Sequence, residues 1–311
     1  LIRFLHLVAT HARACLIAGL AAGLLLPGLA RALYPWLAEI VALLLLLTAL
    51  RIGRRSTLGA VRDLRWGLGA IALLQLALPL TLYACLVPFG LHNTPGALAL
   101  VLTCAAPAIS GSPNLALMME QDAGRTMQIL VLGTAAFPLT VLPILALIPQ
   151  LGPAEAVLAS SFRLLLVIIV STGLGFALRH WLLRAPTPSQ IKAMDGASTL
   201  AFSIIVIGLM AALNPALRTT PGLVALWMLL AFAISYGLQI AVLLTLRHTR
   251  LRPVAGPLAI GAGTRNIALF LVALPADVLA PLLVFIGCWQ VPMYLTPILL
   301  PRLYRKMLSD D

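Results

Sequence analysis

The sequence predicts an all-α polytopic membrane protein of ten transmembrane helices. They form two inverted five-helix repeats whose fourth and ninth helices are broken and cross. Three observations carry this reading. Hydrophobic residues make up 61% of the 311-residue chain and charged residues 10%, too little charge to cover a soluble domain of that length. Ten apolar runs each approach the ~20 residues that span a bilayer as a helix. A seven-residue motif, GSPNLAL at 111–117, returns as GTRNIAL at 263–269, at the same point of the second half. A membrane β-barrel is excluded because its strands would alternate polar and apolar residues, and these runs do not.

The runs fall at 13–32, 34–50, 67–89, 96–121, 126–149, 155–178, 195–214, 221–246, 254–274 and 277–300. The first is too long for a signal-peptide core and reads as a retained membrane helix. The second carries Glu39 towards its outer end, where solvation suits it better than proton coupling. The third, eighth and tenth hold polar residues: Gln75 and Thr81, Tyr236 and Gln239, Gln290 and Tyr294. Each of these either lines a cavity or bonds a neighbouring helix. The seventh ends at Asn214-Pro215. The fourth reads "CAAPAISGSPNLALMM" and the ninth "VAGPLAIGAGTRNIALFL". Proline removes an amide donor and glycine tolerates unwound backbone, so Gly111, Pro113, Gly261 and Gly263 mark where the two helices break. Unwound backbone at membrane depth must face protein or a watery cavity. The two motifs thus form two walls of one candidate site.

Basic residues fix the expected orientation. Apart from Arg31, Arg163, Arg218 and Arg265, every lysine and arginine lies on one side: Arg3, Arg13, the run 51–65, Arg125, 179–192, 247–252 and 302–306. The positive-inside rule then puts both termini in the cytoplasm. The same distribution makes the net charge of +12 a topology signal touching anionic lipid and not a nucleic-acid footprint. Residues 1–150 hold spans one to five and 151–311 spans six to ten. With five spans per half, the second half enters from the opposite side, a plan recurrent in secondary transporters. The four cysteines and five histidines show no ligand spacing, so no metal site or cofactor is expected. Without an intramembrane pair of acids or a Ser/His constellation, an enzyme is not expected either.

Ten spans, five-plus-five inversion and an asparagine after each break resemble the bile acid:sodium symporter family. "AAPAISGSPNLALMM…PLTVLP" and "GTRNIALFLVALP…FIGCWQVPMYLTPILLP" are similar to segments of its bacterial members. The resemblance implies a panel of spans 1, 2, 6 and 7 moving against a core of spans 3–5 and 8–10, in a bacterial inner membrane. It implies transport of an organic anion, bile-salt-like or a small carboxylate. Sodium-using relatives typically carry a glutamate and a glutamine in the ninth-helix break. This sequence has Gly261 or Ala262 and Arg265 there, and Pro113 where a serine usually precedes Asn114. The oxygens left for sodium are neutral: Ser110, Asn114, Thr134 and Asn266, with Ser112 and Thr264 nearby. Arg265 either pairs with a substrate carboxylate or sulfate or donates to unwound carbonyls, its five N–H groups suiting both. The expected substrate-contacting set is Arg265, Asn114, Asn266, Ser112, Thr264 and Gln290. Three readings follow: a sodium-independent carrier, a sodium symporter using neutral oxygens, or a non-transporting receptor on the same fold.

Overall fold

The computed structural model describes residues 1–60, 63–147 and 154–308. The boundary between the two halves at 150–151 lies outside the described residues, as do Arg62, Asp310 and Asp311. The chain is all-α and polytopic. Among the described residues, seven helices are long and apolar enough to cross a membrane, beginning at Pro27, Leu64, Ala123, Leu158, Pro188, Pro221 and Ala280.

The N-terminus departs from the expected spans. Helix α1 (Ile2–Thr10) is amphipathic, burying Val8 and exposing Ile2, Phe4 and Leu7, and is bent 91° from α2 (Ala12–Leu25). Leu26 leaves helical geometry (φ −117°, ψ 71°) because a residue before proline is driven from the α region. Pro27 then opens a new helix, where its missing N–H costs nothing. This is α3 (Pro27–Leu33), running through a tight turn at Tyr34–Trp36 into α4 (Leu37–Ala60). The first apolar run therefore ends at Leu26, and residues 27–32 belong to the second.

The third span begins as α5 (Leu64–Ile71), widens into a π turn at Ala72–Ala77 and resumes as α6 (Leu78–Leu86). The fourth segment is two short pieces, α7 (Pro95–Ala105) and α8 (Ser112–Met118). Thr94 caps the first by accepting from the Ala97 amide at 3.3 Å. Asp122 caps α9 (Ala123–Thr140), which α10 (Leu142–Ala146) follows. Next come α11 (Ala154–Leu182) and α12 (Pro188–Thr219), the latter opened by a reciprocal capping box of Thr187 and Gln190. The Asn214-Pro215 pair does not end a helix; α12 runs on to Thr219 with Pro215 inside it. Asn214 Nδ2 donates across the bundle to the Gly23 carbonyl at 2.7 Å. After α13 (Pro221–Leu246) the ninth segment is again divided: α14 (Arg252–Gly263), a 3-10 turn at Ile267–Leu269 and α15 (Phe270–Ala273). The short α16 (Ala276–Leu279), then α17 (Leu283–Leu299) and α18 (Pro301–Leu308), complete the chain.

Two groups of helices emerge from the packing. Helix α12 lies against α1, α2, α3 and α4, and α4 against α11; α13 packs on α14 and α17, and α9 on α5, α8 and α14. The two groups meet where α12 packs on α17 and α13 and where α4 and α11 pack on α9. Small residues bring the first group close. A Cβ at Gly19 would meet the Ser203 backbone at 3.1 Å, and one at Gly23 would meet Ile207 Cα at 3.0 Å. This is a small-xxx-small face of the kind that lets membrane helices approach. Gly23→Val is expected to overpack the α2–α12 contact and cost about 1–3 kcal/mol, read as a lower midpoint of thermal unfolding in detergent.

In the second group, a polar clasp joins the starts of α5 and α9. Arg125 Nη1 donates to Asp63 Oδ2 at 2.8 Å and lies 4.6 Å from the Trp66 ring centroid, while Gln128 Nε2 donates to the Asp63 carbonyl at 2.9 Å. The hydrogen bond from Arg125 holds the Asp63 carboxyl below the usual carboxylate range. Its contribution to stability is thus present above the unfolded-state pKa of about 3.9 and is lost as pH falls through the lower folded value. Asp63→Asn should flatten that part of a melting-temperature-against-pH profile below about pH 4 and leave the neutral-pH slope unchanged.

Candidate functional site

The two divided segments meet where each is unwound. Pro107 pushes Ala106 into extended geometry (φ −62°, ψ 149°) and ends α7, and Thr264 ends α14 (φ −119°, ψ 81°). The two stretches then run antiparallel past each other. The Asn266 amide donates to the Pro107 carbonyl at 2.8 Å and the Ile109 amide to the Thr264 carbonyl at 3.0 Å, which pairs Ala108 with Arg265.

This crossing leaves carbonyls without their helical partners, and buried backbone groups left unpaired are costly. Ala262 would normally receive the amide of residue 266, but that amide goes to Pro107. Ala106 lies past the last full turn of α7. The third carbonyl is freed in the neighbouring span. In the π turn the Leu78 amide reaches back five residues to Leu73, so the next in line for Leu74 is residue 79, a proline with no N–H. Arg265 answers all three. Its Nε donates to Ala262 at 2.9 Å, Nη1 to Ala106 at 3.0 Å and Nη2 to Leu74 at 3.1 Å. The residue is 1% exposed, and among the described residues no carboxylate lies within ion-pair distance of it. Two of its acceptors are C-terminal ends of short helices, which carry partial negative charge. From behind, Trp289 Nε1 donates to the Arg265 carbonyl at 3.0 Å and Ser235 Oγ to the Gly263 carbonyl at 2.8 Å.

The glycines of the two motifs play different parts. A Cβ at Gly263 would stand 2.4 Å from both the Ser235 carbonyl oxygen and Gln239 Cγ, so only glycine allows this approach of α14 to α13. Gly261 is not at the break; it lies inside α14 and faces Ile129, which a Cβ would meet at 3.1 Å. Gly111 has ordinary right-handed geometry and room for a Cβ, which would touch Ile109 Cδ1 at 3.7 Å, and Pro113 opens α8. The matched motifs are also out of step with the breaks. GSPNLAL follows its break and forms α8, whereas GTRNIAL contains its own, with Arg265 opposite Ala108.

Between the two helix groups lies a cleft of about 990 Å³ including its open mouth. One wall is Leu16 and Ile17 of α2, Thr48 and Arg51 of α4, and Asp195, Ser198, Thr199 and Phe202 of α12. The other is Ile109 to Gly111, Pro113 to Leu115 and Met118, with Met127 and Leu130 of α9, and Tyr294 and Ile298 of α17. At the mouth, Arg51 Nε donates to Asp195 Oδ1 at 2.5 Å, each side chain about a quarter exposed (26% and 28%). A smaller cavity of about 280 Å³ is lined by Arg265, Asn266 and Gln290 and shares Ile109 and Phe202 with the cleft.

The candidate residues therefore divide. Ser110 and Asn114 line the cleft; Arg265, Asn266 and Gln290 line the smaller cavity behind Ile109 and Phe202. The two motifs border two adjoining spaces that share Ile109 and Phe202. Ser112 is buried with its hydroxyl unpartnered among the described residues, and Thr264 is buried with Oγ1 donating to Ile260 at 2.7 Å. Thr134 is half-buried on α9, two turns beyond Met127 on the same face. Ser110, Asn114, Thr134 and Asn266 are not gathered around one cavity. Of the other polar residues, Gln75 accepts from Thr140, Gln239 accepts from Tyr304 and Tyr236 donates to the Pro292 carbonyl, so these join helices. Tyr294 lines the cleft with its hydroxyl unpartnered among the described residues, and Glu39 is exposed. Sequence reasoning missed the Arg51–Asp195 pair, Trp289 and the Leu74 carbonyl; Pro79, five residues after Leu74, was the signal for the last. No protein-family model and no curated protein matches the chain.

Truncating Arg265 leaves three buried carbonyls unpaired, at about 1–3 kcal/mol each. Arg265→Ala should thus lower the melting midpoint by the equivalent of about 3 kcal/mol or more. Millimolar ethylguanidinium should restore part of the loss, which choline should not; equal behaviour of the two cations would show that the carbonyl cradle has no preference for a guanidinium.

Proposed function

We propose that this chain is a secondary transporter of an organic anion that works by alternating access. In this reading it crosses the membrane ten times: the seven long helices, the bent α1–α2 pair, and the two divided segments α7–α8 and α14–α15. Helices α1–α4, α11 and α12 form a panel, the remainder a core, and the two halves of the chain are inverted repeats. The observation that carries the reading is the crossing of two unwound segments beside a cleft that separates two helix groups. Discontinuous helices at the meeting of repeats are where secondary transporters bind their substrates. The bile acid:sodium symporter resemblance adds the substrate class, an amphipathic organic anion or a small carboxylate, and a bacterial inner membrane with both termini cytoplasmic.

The cleft suits such a ligand. Its walls are mostly apolar, from Leu16 to Ile298, with hydroxyl and amide groups and the Arg51–Asp195 ion pair set among them, the usual make-up of a small-molecule site. Asn114, Ser110 and Tyr294 on the core side are the residues assigned to substrate contact. Arg265, Asn266, Ser112, Thr264 and Gln290 shape the crossing behind them. A sodium site does not fit these residues: the carbonyls best placed for a cation already accept from Arg265, and the neutral oxygens lie in separate places. Transport in this reading is therefore independent of sodium.

The test is the melting temperature of the purified protein in sodium chloride and in choline chloride at equal ionic strength, with taurocholate, cholate and glycerate. A ligand at one hundred times its dissociation constant stabilises by roughly 2.7 kcal/mol. Equal stabilisation by an anion in both salts is expected. Stabilisation only in sodium would overturn the ion-independent part, and none with any organic anion would count against the substrate class.

A further inference from the structure

On the reading of the chain as an anion carrier, the crossing also determines which charges travel. Half-helix C-terminal ends and unwound carbonyls are the groups with which secondary transporters hold their coupling cations. Here the Ala106, Ala262 and Leu74 carbonyls are groups of that kind, and each accepts from one nitrogen of a single guanidinium. The cation at this point is part of the chain, and Trp289 holds its backbone as well. It neither arrives with substrate nor leaves with it.

We infer that this protein is an uncoupled, electrogenic carrier: each turnover moves the charge of the organic anion alone, and an inside-negative membrane drives net export. Over a complete cycle every protein charge returns to its starting place. Arg265, Arg51 and Asp195 therefore contribute nothing to the net charge moved, however far they shift within a cycle. With no exchangeable cation at the crossing, a monoanion carries one negative charge per turnover. One elementary charge across 100 mV is worth about a 50-fold concentration ratio at equilibrium, so a cell held negative inside keeps such an anion about 50-fold lower inside than outside. The charges lining the cleft sum to zero, but guanidinium N–H donors are left over for one anionic group. Arg51 and Asp195 are the charged residues lining it, and Arg51 gives Asp195 only its Nε, its two Nη atoms being unpartnered among the described residues.

The full chain is reconstituted in liposomes, and labelled taurocholate (an amphipathic monoanion) and glycerate (a small one) are followed to equilibrium. Potassium and valinomycin set the potential. At 100 mV positive inside, the inside-to-outside ratio of a transported probe should rise to about 50. Without a potential it should stay at one, in sodium and choline chloride alike. Equilibrium ratios do not depend on how the protein is oriented in the vesicle. Accumulation at zero potential under an inward sodium or proton gradient overturns the inference and leaves the carrier reading standing. A ratio that stays at one at every potential also overturns it, because a second ion must then be cancelling the charge. Absence of protein-dependent flux for both probes overturns the inference and the carrier reading together.

Discussion

Backbone carbonyls inside a membrane must find donors, and the centre of this protein is arranged around three that lost theirs. Each loss has its own cause: a proline that ends α7, a crossing that diverts the Asn266 amide, and a π turn whose next amide would belong to Pro79. All three carbonyls converge on Arg265. A charge buried without a carboxylate is ordinarily prohibitive. Here the unsatisfied acceptors and the unsatisfied cation offset each other, and neither would be tolerable alone. Residues that look like bystanders gain their meaning from this exchange: Gly263 lets α14 reach Ser235, and Ser235 in turn ties down the Gly263 carbonyl.

Much of the architecture was legible because apolar runs of membrane length need no long-range information. The limits fell where a proline acts through its surroundings. Pro27 sits inside an apolar run, so composition joined it to the helix before it, whereas the local rule on pre-proline residues frees Leu26 and starts a helix at Pro27. Pro215 looked like a terminus, yet α12 continues through it, anchored by Asn214 on Gly23. In a membrane, neighbouring helices can carry a proline that water would not.

For the site, the sequence showed Arg265 as a cation without a nearby acid, and the asparagines as marks of the two breaks. It could not show which carbonyls face the guanidinium, because Leu74 is 191 residues away along the chain. Nor could it separate the two cavities, since Ile109 and Phe202 come together only in the fold. The motif match itself was partly misleading. Equal letters at Gly111 and Gly263 stand on opposite sides of their breaks, and the second half has an extended cross-strand where the first has a helix. The Arg51–Asp195 pair was hidden for a plain reason: its members lie 144 residues apart, Arg51 in a stretch read for its orientation signal and Asp195 at the start of an apolar run.

The indole of Trp289 gives the centre of the molecule an optical signature. It is fully buried with its N–H held by the carbonyl of Arg265, whereas Trp36 and Trp181 are 62% and 71% exposed. A quencher outside the bundle, dissolved in water or in lipid according to depth, reaches the outer two and spares this one. The emission that survives comes in part from a ring bonded to the crossing itself, so any rearrangement that loosens Arg265 would change its colour and lifetime without a label being added.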